Sequence, residues 1–193
     1  MQENKYDNPV FFEKYSQMSR SREGLSGAGE WETLKDLLPD FAGKRVLDLG
    51  CGYGWHCIYA MEQGAMSVTG VDLSEKMLEV AREKTHFPQA RYLRMPIEEI
   101  NFAENSFDIV LSSLALHYVA SFDAVAKRVN RCLVAGGSFV FSAEHPILPH
   151  TVRRTGITTR TARFCISLWT IIFTRVSVRR IFWGKRWSNI TKH

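Results

Sequence analysis

An α/β fold, with helices covering both faces of a parallel sheet, is predicted by three observations on this sequence. Five short apolar runs have the length and branched composition of buried strands. Helix-length stretches separate them, the rhythm of right-handed crossovers between parallel strands. A glycine-rich bend, Gly50-Cys51-Gly52-Tyr53-Gly54, follows the first run and opens a helical pattern. At 193 residues, 45% hydrophobic and 23% charged, the chain is long enough for one such domain with a proper core.

The elements follow in order. Residues 1–43 read as an N-terminal helical cap. Tyr6, Phe11, Phe12, Tyr15 and Met18 recur at roughly helical spacing and predict a helix covering either the core edge or a ligand. Ser19 to Gly29, rich in Ser and Gly, reads as loop, and Trp31, Leu34, Leu37 and Leu38 predict a helix ending before Pro39. Arg45–Leu49 is the first strand, because branched apolar residues flank the single acid Asp48. Beyond the bend, Ile58 and Met61 lie on a helix stopped by Gly64. Met66 to Asp72 is a strand ending in an acid; Ser74 caps the next helix, which runs to about Thr85 and stops before Pro88. Arg91–Arg94 is a brief third strand and Phe107–Ser113 a fourth. A helix from Phe122 to Leu133, a turn at Gly136-Gly137 and a fifth strand at Ser138–Ser142 complete a domain spanning 44–146.

In open parallel sheets ligands bind beyond the carboxyl ends of the strands, where the strand order reverses. The bend would lie there, with backbone N–H groups facing a polar ligand. Asp72 lies 22 positions after Gly50, at the end of the second strand, where a carboxylate accepts both hydroxyls of a ribose. Two nucleoside cofactors compete. A dinucleotide fingerprint needs G-x-G-x-x-G, and the third glycine position here is Trp55. Asp48, two residues before the bend, sits badly near a pyrophosphate and suits an ammonium. The residues therefore favour S-adenosylmethionine over a nicotinamide cofactor.

VLDLGCGYGWH, VTGVDLSEKML, NSFDIVLSSLALHYV and the Gly136-Gly137 turn together resemble the class I S-adenosylmethionine-dependent methyltransferases, in particular the type 11 methyltransferase domain family, over roughly residues 9–146. The resemblance implies a Rossmann-like sheet and a methyltransferase acting on a small-molecule acceptor. It implies that Asp48, Gly50, Gly52 and Gly54 hold the methionine portion, that Asp72 binds the ribose and that Leu73 lies against the adenine. Ile97 and Glu98 fall on the loop along the adenine edge. There the family often has an acid near Pro96, which this sequence lacks. Ser113 and Leu114 would touch the cofactor near the transferable methyl. His117 and Tyr118 are weak candidates for a catalytic base, which displacement at a sulfonium does not itself demand. Trp55, Phe11 and Tyr15 are candidate pocket walls, and Cys51 reads as a small turn-filler.

Four cysteines without CxxC spacing predict neither a zinc site nor a disulfide framework, and no metal is expected. The polar opening residues predict no export signal, hence a cytoplasmic protein, and no apolar run is long enough to span a bilayer. The net charge of +5 is divided unevenly. Residues 1–150 carry 15 Lys and Arg against 20 Asp and Glu, whereas residues 151–193 carry 10 and none. Three readings of 147–193 compete: a basic arm for nucleic acid or anionic membrane, an unusual substrate cap, or a shifted reading frame near Ile147. Under the last, the closing strands of the sheet are missing and activity is impaired. The rival to an enzyme is a non-catalytic S-adenosylmethionine- or nucleic-acid-binding protein that uses this basic tail.

Overall fold

A computed structural model describes residues 5–144 and, within the tail, the strand residues 166–171, 173–174 and 177–178. Strands β1 (Arg45–Leu49), β2 (Ser67–Asp72), β3 (Ala90–Arg94), β4 (Phe107–Ser113), β5 (Leu133–Glu144) and β6 (Ile166–Ile171) form one sheet in the order β3-β2-β1-β4-β5-β6. The first five are parallel to their neighbours and β6 runs antiparallel to β5, with Phe141 opposite Trp169. Patterning finds no strands in the tail, yet β6 closes this edge, and β7 (Phe173–Thr174) and β8 (Ser177–Val178) make a small separate ladder. The frame-shift and nucleic-acid readings otherwise fall outside the described residues.

Both faces of the sheet are buried, as parallel strands require. Val46 and Val68 face one way and pack with Leu34 of α3 (Trp31–Lys35), Cys57 and Ala60 of α4 (Trp55–Glu62) and Leu78 and Ala81 of α5 (Glu75–Lys84). Leu47, Leu49 and Val110 face the other way, onto Val125, Val129 and Cys132 of α6 (Phe122–Cys132). At the opposite end from the bend, Arg45 grips Asp108 through Nε at 2.9 Å and Nη2 at 3.1 Å, which pins β1 against β4.

Three local expectations are revised. The single helix expected over Tyr6–Met18 is broken into a 3-10 turn at Lys5–Asp7, α1 (Pro9–Ser16) and α2 (Ser19–Arg22). The break follows from Asn8, whose Oδ1 accepts the amides of Val10 and Phe11, and from Pro9, which suits a first helical turn. Consequently the segment read as loop from Ser19 contains α2 and a 3-10 turn at Gly24–Gly27. Lastly, Gly136-Gly137 is a bulge inside β5 and not a turn before it. The pairing jumps from Phe107↔Leu133 to Ile109↔Ser138, with Gly136 at φ +80°. Ser74 caps α5 as expected, accepting the Met77 amide at 3.2 Å. No helix among the described residues is long and apolar enough to cross a membrane.

Candidate active site

The carboxyl ends of β1 and β4 diverge around a cavity of about 490 Å³, within the ~300–1,000 Å³ typical of small-ligand sites. This is the reversal point of the sheet, since β1 lies between β2 and β4. Chain geometry keeps the crevice narrow at its base. A Cβ on Gly50 would lie 2.4 Å from the Ala115 Cβ, so only glycine lets the bend pass beneath the loop after β4. Gly52, at φ +53°, differs: a Cβ there would meet no protein atom within 4 Å. It borders open space in the cavity wall.

The loop amides do not face outward as the sequence suggests. Gly50 and Cys51 both donate to the Val71 carbonyl, at 2.8 and 3.0 Å, and Gly54 donates to Cys51 at 2.9 Å. The Gly52 amide donates to Asp72 Oδ2 at 2.9 Å, and the Ser74 amide donates to Asp72 Oδ1 at 2.9 Å. These bonds fix the carboxylate of Asp72 at the cavity wall. Burial pushes its carboxyl above the usual range, against the backbone donors that favour the charged form.

Most residues singled out from the sequence converge here. Gly50, Gly52, Asp72, Leu73, Ile97 and Glu98 line the cavity, and so do Ser113, Leu114, His117 and Tyr118. Trp55, Phe11 and Tyr15 complete its walls, with Cys51 in the bend. Glu98 is half-buried and its Oε1 accepts the Ala120 amide at 2.7 Å, tying the loop after β4 to the 3-10 turn at Ile97–Glu99. Leu114 takes φ +51°, costly for a branched residue, while its amide donates to the Ser142 carbonyl at 3.0 Å. The His117 ring lies tilted against that of Tyr118, with centroids 4.1 Å apart.

Asp48 and Gly54 are not brought to the cavity wall. Gly54 is needed for close packing, because a Cβ there would lie 2.4 Å from the Tyr92 hydroxyl. Asp48 lies beneath the bend, 1% exposed. Its Oδ2 accepts the Cys57 thiol at 3.4 Å, whereas Oδ1 has no hydrogen-bond partner. Burial pushes its carboxyl up to about 7; the Cys57 bond opposes this and the charge of Asp72 adds to it.

Of the apolar residues of the N-terminal segment, Tyr6, Phe11 and Tyr15 line the cavity. Asp7 anchors it, accepting the Ser74 hydroxyl at 2.5 Å and lying 3.6 Å from Arg94 Nη2. Tyr6 meets the Tyr118 hydroxyl at 3.3 Å and packs edge-on against Phe11 and Tyr15.

A polar cluster in the cavity wall carried no signal in the sequence. Arg20 of α2 pairs with Glu30, whose side chain is only 2% exposed, and Glu30 also accepts the Ser113 hydroxyl at 3.3 Å. His56, in the first turn of α4, lines the same region against Trp31. Burial lowers its pKa to about 4; the charge of Glu30 counters this and that of Arg20 adds to it. His56 belongs to the quoted motif but carried no signal of its own. Arg20 and Glu30 fall in and just after the stretch read as loop.

Residues 47–141 match the profile of a family described as a methyltransferase domain. A solved structure from Listeria monocytogenes is 51% identical, with a TM-score of 0.64, covering 70% of this chain and 64% of that one. An S-adenosylmethionine dependent methyltransferase from Mesorhizobium loti is 48% identical, with a TM-score of 0.63, covering 64% and 57%. An uncharacterised protein of Haemophilus influenzae is 39% identical over 148 residues, 74% of this chain and 58% of its own length. The chain spans between 42% and 58% of the length of the first three curated relatives it matches.

Proposed function

Because residues 47–141 belong to the class I S-adenosylmethionine-dependent methyltransferases, we propose that this chain moves a methyl group from S-adenosylmethionine to a small-molecule acceptor held in the same cavity. The observation that carries this reading is the fixed carboxylate of Asp72 beside the side-chain-free wall at Gly52. An aromatic wall of Tyr6, Phe11 and Tyr15 belongs to the same cavity.

The residues fit the cofactor. Asp72 offers both carboxylate oxygens, oriented by two backbone donors, to ribose hydroxyls. Gly52 leaves open the space that any side chain would enter. Leu73 and Ile97 supply apolar surface for a base, and Glu98, Ser113 and Leu114 line the rest of the site. Asp48 lies buried beneath the bend with its Oδ1 unpartnered, and a cationic amino-acid tail placed over the bend would favour its charged form. When bound, the cofactor supplies an electrophilic methyl on a sulfonium with a neutral thioether as leaving group.

What the chain itself contributes is alignment and exclusion of water. The anchored Tyr6–Tyr15 segment forms one wall and covers the site. His117 and Tyr118 stand where the loop after β4 meets it; either takes a proton only when the acceptor must lose one.

Calorimetric titration with S-adenosylhomocysteine tests the reading. The wild-type protein takes it up, and Asp72→Asn weakens uptake at least tenfold, about 1.4 kcal/mol. Unchanged affinity in Asp72→Asn contradicts the assignment.

A further inference from the structure

The aromatic cover of the cavity is tied down by a residue that does not itself face the cavity. Lys5 and Tyr6 line the walls, and Asp7 beside them does not. We infer that Asp7 is a positioning residue: by fastening the 3-10 turn Lys5–Asp7 to the start of α5, it holds Tyr6 across the bound cofactor and sets how long the cofactor stays. This role rests on the methyltransferase reading above and belongs to a residue that acts without touching the ligand.

Asp7 closes a ring of contacts around the residues that follow β2. Its Oδ1 accepts the Ser74 hydroxyl at 2.5 Å and the Lys76 amide at 3.4 Å, at the first turn of α5. Its Oδ2 lies 3.6 Å from Arg94 Nη2, and Arg94 Nε donates in turn to the Leu73 carbonyl at 3.2 Å. The Ser74 amide meanwhile donates to Asp72 Oδ1 at 2.9 Å. Ser74 therefore holds Asp72 with its amide and Asp7 with its hydroxyl, so the acid proposed for the ribose and the cover share one anchor. A second tie runs beside it, where Lys76 Nζ stands 5.6 Å from the centroid of the Phe12 ring.

Tyr6 carries this anchorage over the cavity. Its hydroxyl meets that of Tyr118 at 3.3 Å, and its ring packs edge-on against Phe11 and Tyr15. Asp7 is fixed to the loop after β2, whereas Tyr118 lies in the loop after β4. Those two strands flank β1 in the sheet. The segment is thus a strap from one side of the crevice to the other, above the bend that follows β1. Hydrogen bonds to a carboxylate are roughly twice as strong as neutral ones, which suits an acid to the fastened end.

Surface plasmon resonance on the immobilised chain reads the dissociation of S-adenosylhomocysteine. Asp7→Ala speeds dissociation at least tenfold. Asp7→Asn, which keeps an acceptor oxygen for the Ser74 hydroxyl, speeds it less. Hydrogen exchange on the complex shows the amides of residues 9–16 exchanging faster in Asp7→Ala, while those of β1 and β4 keep their protection. An unchanged dissociation rate in Asp7→Ala, an equal acceleration in both variants, or lost protection in β1 and β4 overturns the positioning role. If the wild type takes up no S-adenosylhomocysteine, the methyltransferase reading fails and takes this role with it. Uptake by the wild type with unchanged dissociation in Asp7→Ala refutes the role alone.

Discussion

Two parts of the cavity wall are built by different means. Around Asp72 the backbone does the holding: amides of Gly52 and Ser74 grip one carboxylate, and the Val71 carbonyl receives two amides of the bend. Around Arg20 side chains hold one another, in an ion pair that joins α2 to the start of α3 and reaches Ser113 on β4. Backbone cradles need a particular local sequence and therefore appear as contiguous motifs. Side-chain clusters need only proximity, and Ser113 and Glu30 are 83 positions apart.

Beneath the bend and in the cavity wall lie two buried titratable groups of opposite kind, Asp48 and His56, and the largest predicted effects follow from them. Asp48, beneath the bend, has a folded-state pKa raised to about 7, so its contribution to stability falls as pH rises from about 4 to 7. His56 has a folded-state pKa lowered to about 4, so its contribution falls as pH drops from about 6.5 to 4. Over that window the two oppose each other. Denaturant unfolding across pH 4–7 therefore shows Asp48→Asn gaining stability relative to the wild type with rising pH. His56→Gln gains with falling pH, each by on the order of a few kcal/mol. Parallel curves for all three proteins refute this account of the burial.

Breaking the ion pair comes next. Arg20→Ala strands Glu30 and costs about 3 kcal/mol in chemical denaturation, below the cost for a fully buried pair because the guanidinium is 29% exposed. Adding Glu30→Gln recovers most of the loss. A cost that the second substitution does not reduce would mean the pair is not coupled.

The glycines of the bend sharpen the contrast. Gly50→Ala drives a Cβ to 2.4 Å from the Ala115 Cβ in a left-handed backbone, and costs about 2–3 kcal/mol. Gly52→Ala meets no protein atom and costs only its backbone conformation, about 1 kcal/mol. It nonetheless weakens S-adenosylhomocysteine by tenfold or more, since the methyl group occupies the ligand's space. Equal effects of the two on stability would remove the distinction between a packing glycine and a ligand glycine.

Periodicity and turn chemistry made the parallel sheet, the bend and Asp72 legible in the sequence, because each is a local pattern. Helix breaks at Asn8 and at Gln17-Met18 were hidden by apolar spacing that continues across them. Gly136-Gly137 signals a departure from regular backbone, but only the pairing partner Asp108, opposite the extra residues, makes it a bulge. The outward-facing amides inferred for the bend were wrong for a related reason: the Val71 carbonyl and Asp72 carboxylate that take them come from the next strand. Composition alone cannot register β6, whose pairing depends on β5 offering an open edge. Arg20 and Glu30 lay in a stretch without periodic signal, and their meeting depends on the fold of α2 and the turn after it.

A crystal structure with S-adenosylhomocysteine tests the central assignment most directly. The ribose hydroxyls are expected on the Asp72 carboxylate and the thioether arm over Gly52, passing toward Ser113. Density for the nucleoside elsewhere, or an Asp72 without contact to it, would contradict the account.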